Sequence, residues 1–281
     1  MRVLVRCVLV ALVPALSGCI TSETLIKLNA DRSGTLEQLI LVNMKTLEEL
    51  PRMMGDMLGG DGKSSSKSSA SPLDLLDETR LRAGASAFGD GVRFVSVEKI
   101  ARGDMQGGRV TYAFDDVNAL AIDPEPPLNA MGGGAPKGSA SNPIDLGLQR
   151  LPNGNTLLTV QFDQARAPKN QPAGTGGSTK NKDDVPPGME EMIKQLFDGF
   201  RVAVDVEVNG PIVRTSSPWV AGSRVTVLEM DLGMLLKDQS NLKVLDRLSP
   251  TAGLADMIPA LKGIKGIKIN ESPLTIEFSG R

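Results

Sequence analysis

Few side chains in this chain could do chemistry, and the first constraint on them is an absence. Its 281 residues contain no histidine, which excludes Ser-His-Asp and Cys-His triads, His-ligated zinc and His-based proton relays. Carboxylates remain, with adjacent pairs at Asp115-Asp116, Asp183-Asp184 and Glu190-Glu191. Two acids drawn from different loops could serve a glycosidase or a phosphoesterase. Neighbours on one strand point to opposite faces, however, and acids in the first turn of a helix favour its dipole, so these pairs read as caps and solvated charges. Asn29-Ala30-Asp31-Arg32-Ser33-Gly34 has oxygen side chains at the first, third and fifth positions and Gly at the sixth, as a calcium loop does. Its twelfth position is Ile40, where a bidentate Glu is required, so the segment reads as a hairpin turn. Gly62-Lys63-Ser64 imitates the end of a phosphate-binding loop, but Met57 stands where the first Gly belongs and no strand precedes it. There is no GxSxG elbow. These exclusions predict a protein that is not an enzyme, with no cofactor and no metal site.

The amino terminus carries a positive signal. Arg2 and Arg6 precede an apolar run from Cys7 to Leu16 that is broken by Pro14 and too short for a permanent transmembrane helix. The run ends in Leu16-Ser17-Gly18-Cys19, and here the sequence resembles the bacterial lipoprotein signal, whose lipobox is Leu, a small residue, Gly or Ala, then Cys. The resemblance implies cleavage after Gly18, removal of residues 1–18, a diacylglycerol thioether on Cys19 and acylation, commonly palmitate, of the new amino terminus. It also implies a lipid-anchored location in the envelope. Ile20, standing where Asp commonly marks inner-membrane retention, favours the periplasmic side of the outer membrane. With Cys7 removed and the sulfur of Cys19 committed to lipid, no thiol remains for a disulfide or a nucleophile. Loss of Arg2 and Arg6 leaves 29 basic against 33 acidic side chains, a net charge of −4. That balance predicts attachment through acyl chains and not charge, and no nucleic-acid partner.

The elements that must position any site are mostly strands. Residues 59–72, 123–143 and 164–188 are rich in Gly, Pro, Ser or Lys and read as mobile loops within an envelope domain covering 19–281. Thr24 to Asn29 and Leu36 to Val42 flank the first turn as a hairpin, with Gly34 expected in the left-handed position. Val92 to Ile100 with Arg109 to Phe114 predicts a second hairpin. Leu146 to Leu151 with Thr156 to Phe162 predicts a third, turned by Asn153-Gly154. Val202, Val204, Val206 and Val208 alternate with Ala203, Asp205 and Glu207 as a half-buried strand, and Leu274 to Phe278 reads as a final one. Helices are expected over Thr46–Leu58, from Ser71-Pro72, and over Pro187–Phe200. Arg109-Val-Thr through Asp116 to Leu120 also lines up with Arg224-Val-Thr through Asp231 to Leu235. The match predicts a repeated strand–turn–strand unit closed by an aspartate N-cap.

The candidate lining residues are Met189, Met192, Phe197 and Trp219. Methionines on one helical face could line an adaptable groove for a lipid or a partner, or they could pack a core. Trp219 sits on a polar turn after Pro218 and reads either as an exposed contact or as a cap on a sheet edge. The hairpin that follows the lipobox, and the corner Val208-Asn209-Gly210-Pro211-Ile212-Val213, resemble LppM-type envelope lipoproteins. That resemblance implies lipid or glycolipid binding and contributes no binding residues. The expectation is an α+β fold: one antiparallel sheet of β-hairpins with short amphipathic helices on one face and flexible insertions. The expected function is a non-catalytic envelope lipoprotein that binds an apolar ligand (lipid) or a protein partner. Its rivals are a structural component of an envelope assembly and a carboxylate-based periplasmic hydrolase.

Overall fold

The structure, a computed structural model, describes residues 20–46, 76–122, 144–162, 199–238, 240–241 and 254–280. The expected helices at 46–58 and 187–200, the Ser71-Pro72 helix start and the three loop stretches lie outside these residues wholly or in nearly their whole length. Among the described residues no helix is long and apolar enough to cross a membrane.

Thirteen strands form in the described chain: β1 (Ile20–Leu28), β2 (Gly34–Asn43), β3 (Arg93–Arg102), β4 (Met105–Phe114), β5 (Ala121–Ile122), β6 (Ile144–Arg150), β7 (Thr156–Phe162), β8 (Arg201–Val208), β9 (Ile212–Thr215), β10 (Val220–Ala221), β11 (Arg224–Asp231), β12 (Ile267–Ile269) and β13 (Leu274–Phe278). Short helices accompany them, among them the α-helices α1 (Glu78–Gly84), α2 (Leu232–Leu236) and α3 (Leu254–Leu261). The expectation of a single sheet with helices on one face is therefore overturned. The protein is mostly β, with a large sheet ordered β10-β11-β8-β1-β2-β4-β3, β12 also pairing with β11, and a second sheet ordered β5-β6-β7-β13-β9.

Period-two patterning explains this result. Ile26, Leu28, Leu36, Val110, Tyr112, Phe114, Val204 and Val206 line one face of the large sheet. Ile144, Leu146, Leu158, Val160, Leu274, Ile276 and Phe278 line one face of the small sheet, and all of them join one buried core. Each sheet thus covers the other's apolar face, the arrangement of a β-sandwich. The helices take little part: α1 buries none of its residues, while α3 contributes Ile258 and Leu261.

All three expected hairpins form. In the first, Arg32 and not Gly34 takes the left-handed conformation, at φ 78°. Asp31 stabilises that turn by accepting from the Ser33 backbone N–H (3.1 Å) and hydroxyl (2.6 Å). Gly34 is needed for a different reason: a Cβ there would lie 2.1 Å from the Lys27 carbonyl oxygen and 2.6 Å from the Phe114 ring. In the third hairpin Gly154 does take a positive φ, 84°, as Asn-Gly requires.

The repeated unit is present locally. Glu98 faces Arg109 across β3–β4, and Glu207 faces Arg224 across β8–β11; Val97–Val110 and Val206–Val225 follow in register. Asp116 and Asp231 then cap the next turns through their side chains. The two copies occupy different places, because β4 lies between β2 and β3 whereas β11 lies outside β8. What joins them is the parallel pairing of β1 with β8, from Thr21–Arg201 to Leu28–Val208.

Candidate functional site

The face of the large sheet turned away from the core carries the alternate residues of the same strands. Register places Arg224, Glu207, Lys27 and Thr35 in one row across β11, β8, β1 and β2, and Thr226, Asp205, Leu25 and Glu37 in the next. The third row runs Glu229, Ala203, Glu23 and Leu39, and it continues to Arg109 and Glu98 on β4 and β3. Opposite charges meet within and between these rows. Arg201 donates to Glu23 (2.6 Å) and to Glu229 (3.0 Å), Lys268 reaches Glu229 (3.0 Å), Arg224 reaches Glu207 (2.8 Å) and Arg109 reaches Glu98 (3.3 Å). Lys27 pairs with Glu37. Exposed pairs of this kind add little individually, ~0–1 kcal/mol, so the lattice is better understood as a patterned surface than as a source of stability. Burial works to raise the pKa of Glu229, and the hydrogen bonds from Arg201 and Lys268 outweigh it and hold the carboxylate below its ordinary range.

A cleft of about 250 Å³ opens in the middle of this face, walled by Glu23, Leu25, Glu37, Leu39, Arg109, Asp205 and Arg224 among others. Of its acids, Glu23 and Glu37 have cationic hydrogen-bond partners. Asp205 does not: its Oδ1 is buried and has no hydrogen-bond partner among the described residues. Arg201 and Arg224 act on it only through space. A buried acceptor left unpaired costs about 1–3 kcal/mol. A larger cleft of about 550 Å³ lies beyond the end of the same strands, where Lys27, Asn29, Glu207 and Asn209 surround the Gly210-Pro211 corner.

The small sheet treats its outward acid in the opposite way. Glu277 of β13 has a side chain only 7% exposed. It accepts from Asn155 Nδ2 (2.7 Å), Asn153 Nδ2 (3.0 Å) and Arg214 Nη2 (3.0 Å). Those bonds, Asn155 first, hold its pKa below the ordinary range. The Asn153-Gly154 turn folds over the carboxylate, so the residues that turn the hairpin also satisfy the buried charge.

Of the residues singled out from the sequence, Cys19, Met189, Met192 and Phe197 lie outside the described residues. Trp219 lies on the connection from β9 to β10, half-buried, its N–H donating to Ser217 Oγ (3.1 Å) and its carbonyl accepting from Thr226 N–H (3.1 Å). It is not among the residues lining either cleft. Asp115 is held by Arg93 in two hydrogen bonds, 2.7 and 3.0 Å, while Asp116 caps a turn, so this adjacent pair does structural work. Among the described residues no group of three or more Cys, Asp or Glu side chains is disposed to hold a metal ion. Sequence reading placed Asp205 and Glu207 on the polar side of a strand and no further. Their neighbours come from β1, some 180 positions earlier, and from β11.

No family model matches the chain, and no curated protein matches it. Among solved structures the chain is similar to the folded domain of the LppM protein of Mycobacterium tuberculosis, determined by NMR. Identity is 9% and the TM-score 0.33, with 94% of this chain and 91% of that one covered. At this identity and score the likeness carries no residue, ligand or location over to the present chain.

Proposed function

We propose that the protein is a non-catalytic lipoprotein, anchored in the envelope through Cys19 on the periplasmic side, which docks a protein partner on the outward face of its large sheet. The supporting observation is the charged, row-ordered face with its central cleft. An acyl chain gains nothing from walls of Glu, Asp and Arg, whereas a polar protein surface can match them.

A photo-crosslinking residue at Thr111 or Leu39 on the face, compared with one at Asp90 away from it, tests the reading in the living envelope. Discrete protein adducts from the face positions alone are expected. Native mass spectrometry of the envelope-purified protein supplies the contrary outcome: near-stoichiometric lipid in the protein and no face-specific adduct would replace the docking reading with a lipid carrier. Cys19→Ser should release the protein from the membrane fraction; continued membrane attachment would remove the lipid-anchor half of the proposal.

A further inference from the structure

On the reading that the outward face docks a protein, the geometry points to the chemistry of the contact: the Asp205 cleft is a receptor for a single basic side chain, arginine or lysine, presented by the partner. The charges of the face are balanced pair by pair. Five of its acids already have cationic hydrogen-bond partners: Glu23 and Glu229 share Arg201, Glu207 takes Arg224, Glu37 takes Lys27, and Glu98 takes Arg109. Asp205 is the acid of the cleft whose buried oxygen takes no hydrogen bond among the described residues.

The walls suit a long basic side chain. Leu25 stands beside Asp205 in register on β1, and Leu39 stands one row away on β2. Both line the cleft, and both are half-buried, so apolar surface flanks the carboxylate. A lysine or arginine buries its methylene stem on such surface while its charged head seeks an acceptor. Asp205 itself lines the cleft, so its carboxylate stands where a donor presented there would arrive. The same site disfavours an anion, because the cations around it are already engaged while Asp205 repels negative charge.

Methyl-resolved NMR of the full mature chain, lipid-anchored in micelles, reads this directly, with the methyl groups of Leu25 and Leu39 as reporters. The probe is Nα-acetylarginine N-methylamide, titrated through the millimolar range, with the citrulline analogue as its uncharged isostere. Saturable shifts at both leucines with the arginine compound and none with citrulline are expected. Asp205→Asn should weaken the response about tenfold, the scale of one charge-assisted hydrogen bond, while Asp115→Asn, which removes the same charge from an acid outside the cleft held by Arg93, should leave it within about twofold. Equal responses to arginine and citrulline, or equal losses in the two variants, would overturn the inference, as would no response at all. The outcomes also separate this inference from the docking reading. Face-specific crosslinks from Thr111 that persist undiminished in Asp205→Asn leave docking in place and remove the basic-side-chain receptor. Loss of all crosslinks in the unaltered protein removes docking, while the arginine titration still decides what the cleft binds.

Discussion

Asp205 and Glu277 hold comparable places on the two sheets, each a carboxylate on the face turned away from the shared core, and they are treated in opposite ways. Glu277 is closed over by a hairpin turn and receives three donors. Asp205 lines an open cleft among paired ions, and its buried Oδ1 receives no hydrogen bond among the described residues. The difference separates a carboxylate used to build the fold from one left available to something outside it. A sheet residue that forgoes its hydrogen bond where a threonine or valine would suit the strand better is a violation of local consistency, and such violations gather at functional sites.

Loss of Glu277 should be felt most. Glu277→Ala strands Asn153, Asn155 and Arg214 without their acceptor, and thermal unfolding should shift down by about 5–8 °C; a shift no larger than that of Asp205→Ala would erase the distinction. Acid should act next. Because the folded pKa values of Glu277 and Glu229 lie below the ordinary glutamate value of about 4.3, the unfolded chain takes up protons first as pH falls. Their contribution is complete at neutral pH and is lost as pH drops below that value toward the folded pKa. Melting temperatures between neutrality and acid should show this loss, and Glu277→Gln should flatten the curve. On the large sheet, Arg201→Met breaks two ion pairs at once and should cost about 1 kcal/mol in denaturant unfolding, diminished by added salt. The smallest effect belongs to Asp205→Thr, expected to leave stability unchanged or to raise it by up to ~1 kcal/mol. A clear loss of stability would mean that Asp205 is structural after all.

The sequence made the local pieces legible and hid how they meet. Turn chemistry announces hairpins, so Asn153-Gly154 and the aspartate caps at Asp116 and Asp231 could be read in advance. Alternation places Asp205 on the polar face of its strand, and Leu274 to Phe278 reads as a strand whose outward Glu277 carries no local sign of its three donors. Period-two patterning does not say what covers an apolar face, which is why one sheet under helices was expected where two sheets cover each other. The parallel join of β1 to β8 has no local signature at all, and it is what puts Leu25 beside Asp205. Gly34 shows the same limit on a smaller scale: turn chemistry alone predicts a left-handed glycine there, whereas the close approach of Phe114 that demands it comes from a strand eighty positions away.

If Cys19 is acylated as proposed, β1, described from Ile20 onward, follows the lipid attachment point directly. At about 3.3 Å per residue, Leu25 and the cleft beside it can stand no more than roughly 20 Å from the lipid attachment point. A partner would then be met within a thin layer at the membrane surface, where confinement raises effective concentration and a weak contact can suffice.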